Sequence, residues 1–311
     1  MKFLEQSFDK QNQFWKYIVV ILAAFCGGQI FAIIPVSILA VKAVKENGAL
    51  VMNPDNPADF SALGLSSNMG LLLTMSVFVV IFLLAILLIK AMHKRSFAQT
   101  VNGTRKVRIK RCLTGAAVWG ILLVIYYIAD YLVDPGNYRL QFDLSAFIPL
   151  FFISVLIIPF QTTCEEFLCR GYLAQGLAGW TKSRWVAIIV PSLLFGLLHS
   201  FNPEIKEFGF WVMIPQYVFF GILFALISVL DDGIELAIGM HAVNNILSSL
   251  LVTHQASALQ TSAIFEQFDA VPLKEMIILF ISGAIAFAVL ARKYKWNFKV
   301  LNQKLTPVQT E

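Results

Sequence analysis

A chain of 311 residues is long enough for two soluble domains, but 58% apolar and only 14% charged residues, with 27 phenylalanines, exclude that class. The composition is that of an all-α, polytopic membrane helical bundle, in which helices satisfy every backbone polar group internally. The net charge of +5 sits in loops and tails, where membrane topology accounts for it, so no nucleic-acid partner is expected.

Taken in order, the chain opens with a polar stretch of mixed charge, Met1 to Trp15, and shows no cleavable signal peptide. Eight apolar segments follow, giving about eight transmembrane helices: Tyr17 to Val41, Met69 to Ile89, Leu113 to Ala129, Leu144 to Thr163, Trp185 to Phe201, Phe210 to Leu230, Leu236 to Val252 and Met276 to Ala291. Several are near the short limit of the roughly 17–25 residues a span needs. Nothing between Thr163 and Gly176 must stop the fourth helix, and Pro159 should kink it. The loop after the second segment carries Lys94, Arg95, Arg105, Lys106, Arg108, Lys110 and Arg111, and the C-terminal tail is also basic. The loop Asn53 to Phe60 and the segment Thr253 to Val271 hold no lysine or arginine. With eight spans this bias puts both termini in the cytoplasm. Trp15, Trp180, Trp185, Trp211 and Trp296 lie near segment ends, as interfacial aromatics do. Cys26, Cys112, Cys164 and Cys169 read as unpaired apolar fillers.

Against this background the run Cys164 to Arg170 stands out, because ionisable groups at membrane depth are costly and mark function by default. On a helix, Glu166 and Arg170 are four apart and can pair, while Glu165 points elsewhere. The two carboxylates therefore divide: Glu166 with Arg170 as a brace, and Glu165, less compensated, as the group suited to proton transfer. A plainer reading is also open. Thr162 and Thr163 each stand three residues before a glutamate, which fits a capping box at an interfacial helix start.

Two further polar features lie in apolar helices. His199 closes the fifth segment, with Phe195 one turn earlier; alone it could be a boundary histidine satisfied by water or Asn202. His241 and Asn245 are four apart on the seventh segment, with Asn244 near the same face; alone they could be interhelical hydrogen-bond glue. If the fourth and fifth segments form a hairpin, Glu165 and His199 come level, at roughly 21 Å and 24 Å of helix from the turn. His241, roughly 12 Å from the turn at Asp231–Gly233, would lie shallower unless the first hairpin protrudes further. One glutamate, two imidazoles and an amide suit water activation by Glu165 and His199, with His241 and Asn245 donating to an oxyanion. They equally suit a catalytic metal site of Glu165, His199 and His241, holding zinc or another divalent cation with an open position for water.

In order and spacing, Glu165-Glu166-x-x-x-Arg170, Phe195-x-x-x-His199 and His241-x-x-x-Asn245 resemble the three motifs of the CPBP family, the CAAX prenyl endopeptidases and Abi-type bacteriocin-processing or immunity proteins. The resemblance covers roughly Phe147 to Val252. It implies an eight-helix intramembrane endopeptidase with Glu165 as catalytic carboxylate and His199 as its partner on the water. His241 and Asn245 would serve the oxyanion, and Glu166 and Arg170 would support. Members are often named metalloproteases, yet the best-understood type looks glutamate-dependent, so no cofactor is required in the preferred reading.

The expected division is 1–143 as a variable N-terminal region with three helices, 144–252 as the catalytic core, and 253–311 as a final helix and basic tail. The expected partners are membrane lipid and a membrane-associated protein or peptide substrate, and the expected location is a bacterial cell membrane. The alternative is a non-catalytic immunity or scaffold protein of the same fold. A small proton-coupled transporter lacks the paired broken helices such folds carry.

Overall fold

A computed structural model describes residues 3–8, 11–49 and 60–306; of the expected cation-free loop at Asn53 to Phe60, all but Phe60 lies outside the described residues. The helices are α1 (Phe14–Asn47), α2 (Ser67–His93), α3 (Phe97–Asn102), α4 (Ile109–Val133), α5 (Leu144–Leu156), α6 (Ile158–Glu166), α7 (Ala174–Thr181), α8 (Arg184–Leu198), α9 (Pro203–Phe208), α10 (Phe210–Leu230), α11 (Glu235–Leu251) and α12 (Pro272–Tyr294). Large apolar side chains stand bare along their outer faces, among them Leu22, Leu87, Leu132 and Val133. In water such a surface would aggregate; in lipid it is the solvated one.

Among the described residues, six stretches are long and apolar enough to cross a membrane: Phe14–Glu46, Ser67–His93, Ile109–Val133, Leu144–Thr181, Phe210–Leu230 and Pro272–Tyr294. The helical membrane bundle is thus present, but not as eight full spans. The helices that lead to His199 and carry His241 are shorter, at 15 and 17 residues. Each is cut by its own sequence. α8 tightens at its end, where His199 N–H reaches the Gly196 carbonyl, and Asn202-Pro203 starts a new helix. α11 begins only after Gly233, whose φ of +156° few other residues adopt.

The stretch Leu144–Thr181 runs through a break and a swelling. α5 stops at Ile157 because Pro159 cannot donate a helical hydrogen bond. Beyond α6, residues Phe167–Leu173 form a π-helical stretch before α7 resumes. Such widened turns in α-helices occur frequently at functional sites. The capping-box reading of Thr162 and Thr163 is overturned, since no helix starts here. The Thr162 hydroxyl instead donates back to the Ile158 carbonyl.

α11 lies against α4 at backbone contact. A Cβ on Gly239 would meet the Cys112 carbonyl oxygen at 1.9 Å, and one on Gly115 would meet that of Leu236 at 2.3 Å. α10 meets α8 in the same way, with Gly221 over Ser192. Small residues therefore set how closely the histidine-bearing elements approach, as in membrane helix packing generally.

At one end of the bundle, Arg108 and Arg111 clamp the buried Asp231 and Glu235 around the α10–α11 turn, with Arg111 to Asp231 at 2.8 Å. The Trp296 indole N–H donates to Asp231 at 3.0 Å. Trp296 is buried for this purpose, a correction to its expected role as an interfacial anchor; Trp15, Trp180, Trp185 and Trp211 are exposed. At the other end a small sheet departs from the all-helical pattern. β3 (Phe265–Gln267) pairs antiparallel with β1 (Tyr138–Leu140) and parallel with β2 (Val252–Thr253). All four cysteines are unpaired.

Candidate active site

Glu165 and Glu166 end α6, immediately before the π-helical stretch. Their neighbours differ as the helical offset requires. The Glu166 side chain is 0% exposed, whereas that of Glu165 is 16% exposed. The Arg170 guanidinium donates to Glu166 Oε1 at 2.8 Å, across one helical turn. That guanidinium is itself fully buried and lies over the Phe195 ring, 4.1 Å from its centroid, so a cation–π contact helps replace the water it has lost.

α11 delivers His241 between the two carboxylates. Its Nδ1 lies 2.8 Å from Glu166 Oε1, and its Nε2 lies 3.7 Å from Glu165 Oε2. Because Glu166 is paired with Arg170 it is a carboxylate and accepts, so His241 Nδ1 carries the hydrogen. His241 Nε2 is then the nitrogen left facing Glu165. Glu165 Oε2 is buried without a hydrogen-bond partner among the described residues, as are Glu166 Oε2 and two nitrogens of Arg170. Unspent buried capacity of this kind is costly and concentrates where a reaction or a bound water will use it.

The expectation that His241 would lie shallower is corrected by the turn that precedes it. The Asp231–Gly233 turn is drawn into the protein, where Ile234 N–H donates to the Val101 carbonyl and Arg108 covers Asp231 and Glu235. The α7–α8 turn, at Lys182, packs against Leu4–Phe8 and the C-terminal segment. His241 meets both glutamates at the end of α6.

Asn244 Nδ2 donates to Asn245 Oδ1 at 3.1 Å, but the two side chains take different further partners. Asn245 Nδ2 donates to Gln161 Oε1 at 3.1 Å, and Gln161 stands one turn before Glu165 on the same face. Asn244 Oδ1 accepts from the Trp119 indole of α4 at 3.0 Å, which ties that residue to the α4 side. Asn245 is thus the amide beside Glu165. Gln161 and Trp119 were not singled out by sequence. A lone glutamine four residues before a glutamate, in an apolar run, was the available signal for the first.

His199 ends α8 on the other side of Phe195. The Phe195 ring is 4.5 Å from the His199 ring and 6.1 Å from that of His241. His199 Nδ1 lies 2.7 Å from the Phe195 carbonyl oxygen, which can only accept, so Nδ1 bears the hydrogen, and in the neutral ring Nε2 keeps a lone pair. The structure joins His241 to both glutamates and shows no hydrogen bond between His199 and either. Among the described residues, no three His, Cys, Asp or Glu side chains gather closely enough to hold a metal ion. Glu165, His199 and His241 do not form a ligand set in this arrangement.

Residues 144–247 match the family of Rce1-like proteins described as type II CAAX prenyl endopeptidases. The matched stretch contains Glu165, Glu166, Arg170, His199, His241 and Asn245. An uncharacterized protein, YyaK of Bacillus subtilis (strain 168), is 30% identical over 183 residues, which are 57% of this chain and 61% of that protein. The chain thus spans about three fifths of the length of the curated relative it matches. No solved structure matches.

Proposed function

We propose that this chain, Rce1-like across residues 144–247, is an intramembrane endopeptidase that hydrolyses a peptide bond of a membrane-associated protein or peptide. The observation that carries the proposal is the placement of His241 between a fully buried carboxylate, Glu166, and a partly exposed one, Glu165. A purely structural ion-pair cluster has no need of the second, unpartnered carboxylate oxygen.

In the proposed reaction, Glu165 takes a proton from a water whose second hydrogen is accepted by His199 Nε2. The hydroxide adds to the substrate carbonyl carbon, and its electron pair moves to the carbonyl oxygen. Donors to that oxyanion come from the Asn245 amide and from His241 Nε2 when it carries a proton. As the tetrahedral adduct collapses, the carbon–nitrogen bond breaks and the proton on Glu165 passes to the leaving amine. Glu166, held by Arg170, accepts from His241 Nδ1; this fixes the ring's orientation and supports its doubly protonated form, the one that donates from Nε2. The residues do this with their own acid–base groups, so the reading is of a glutamate-dependent protease.

The test compares peptides in membranes that contain the wild-type protein or Glu165→Gln. Glu165→Gln should accumulate to the wild-type level and lose every product peptide that the wild type generates. Product peptides unchanged in Glu165→Gln would overturn the reading. They would favour the non-catalytic alternative, an immunity or scaffold protein of the same fold.

A further inference from the structure

Beside the three motifs lies a second buried polar assembly, which the proposed chemistry does not use. Tyr217 of α10 lies flat against His199, with ring centroids 4.1 Å apart and planes inclined by 21°. The Tyr217 hydroxyl donates to Glu204 Oε1 and accepts from Asn202 Nδ2 at 3.0 Å. Asn202 also donates to Glu204, at 3.2 Å. Glu204 is 6% exposed, and its Oε2 has no hydrogen-bond partner among the described residues.

Ordinary folding needs do not explain this arrangement. Asn202 occupies the N-cap of α9, where its side chain would normally accept from the helix N-terminus. It forms no such cap and turns its amide to Tyr217 and Glu204 instead. Burying a carboxylate so incompletely satisfied is expensive. The result is a tyrosine ring fixed at its far end by two polar anchors, with its face presented to one imidazole. That imidazole is held along one edge by the Phe195 carbonyl.

We infer that Tyr217 is a positioning residue for His199: its anchored ring sets the plane of the imidazole, and thereby the direction of Nε2, with Glu204 and Asn202 holding the ring. This rests on the reading of His199 as a member of the site, but the geometry it predicts can be measured without any cleavage assay.

The test uses full-length protein in detergent micelles with ¹³C-labelled histidine. The chain holds four histidines, and His199→Gln identifies the His199 signal. A ring stacked on tyrosine gives an Hε1 resonance shifted upfield by the ring current. Tyr217→Phe, which keeps the plate, should retain that shift. Tyr217→Leu, which removes it, should move the signal to the position of an unstacked histidine. In membranes, Tyr217→Leu should lower the Glu165-dependent product peptides about tenfold or more, the scale of a small misplacement of a reacting group, and Tyr217→Phe should restore most of the loss. If Tyr217→Leu does not accumulate, Tyr217→Met takes its place.

A His199 signal that is the same in the wild type and in Tyr217→Leu overturns the inference, and so does equal product loss in the Phe and Leu variants. If no product depends on Glu165 while the His199 signal moves as expected, the protease reading fails and the positioning of His199 by Tyr217 stands.

Discussion

Glu166 and His241 lie 75 residues apart in the chain and meet at 2.8 Å through Glu166 Oε1 and His241 Nδ1. The same carboxylate oxygen accepts from Arg170. One buried atom therefore ties the end of α6, the π-helical stretch and α11 together, and a change at any of the three partners reaches the other two.

Removing Arg170 leaves Glu166 ionised and buried without its cation. Arg170→Met should destabilise the protein by about 3–5 kcal/mol, the usual scale for breaking one side of a buried pair. The double variant Glu166→Gln, Arg170→Met should recover much of that loss, since no uncompensated charge remains. It should still fail to cleave, because His241 has lost its carboxylate. Thermal unfolding in detergent and the membrane peptide profile together separate the two effects.

Gly239 and Gly115 admit no side chain without moving backbone. Gly239→Ala should push α11 away from α4 and carry His241 off its glutamates. The expected cost is about 1–3 kcal/mol from overpacking, with cleavage reduced more than stability. Gly120→Ala is the comparison on the same interface. Its Cβ would first meet the movable Val243 side chain at 3.1 Å, so it should be nearly silent in both measurements.

His254 follows β2, outside the membrane-spanning stretches, with its ring 6.0 Å from Phe208. Burial holds its pKa below the usual histidine range, although Glu204 and Glu207 pull the other way. A histidine with a depressed folded pKa favours the native state above its unfolded pKa, about 6.5. That contribution is lost as the pH falls below this value through the folded pKa. The melting temperature should therefore drop between pH 7.5 and pH 5.5, and His254→Phe should flatten that part of the profile. An unchanged slope in His254→Phe would exclude this residue as its source.

Chelation distinguishes the proposed acid–base mechanism from one that needs a metal. Protein purified through a strong chelator, with its metal content measured, should retain cleavage of a peptide identified in the membrane profile. Loss of activity restored by zinc would require Glu165, His199 and His241 to close into a ligand set that they do not form here.

Much of the fold was legible because its signals are local. Apolar runs of spanning length, the proline that breaks the fourth segment and the Glu166–Arg170 offset each depend on residues within a few turns of one another. The three polar motifs were legible for a related reason: a charge or amide is costly anywhere along a lipid-facing helix, so each one shows against its background. Helix ends were less legible. α8 and α11 fall short of a full span because of the tightened turn at His199 and the turn at Asp231–Gly233, short-range features that apolar run length does not reveal.

By itself the sequence determined that the chain is a helical membrane bundle and singled out the few polar side chains that stand in its apolar helices. It also separated Glu165 from Glu166, since residues adjacent on a helix must face different neighbours. The tertiary structure alone decided what those neighbours are. It seated His241 between the carboxylates, turned Asn245 toward Gln161 and Asn244 toward Trp119, and laid His199 on Tyr217. The reason is physical: these contacts depend on how closely α11 approaches α4 and how deeply each turn is drawn in, and backbone contacts between distant segments set both, at Gly115, Gly239 and Ile234. No spacing along one helix encodes the depth of another.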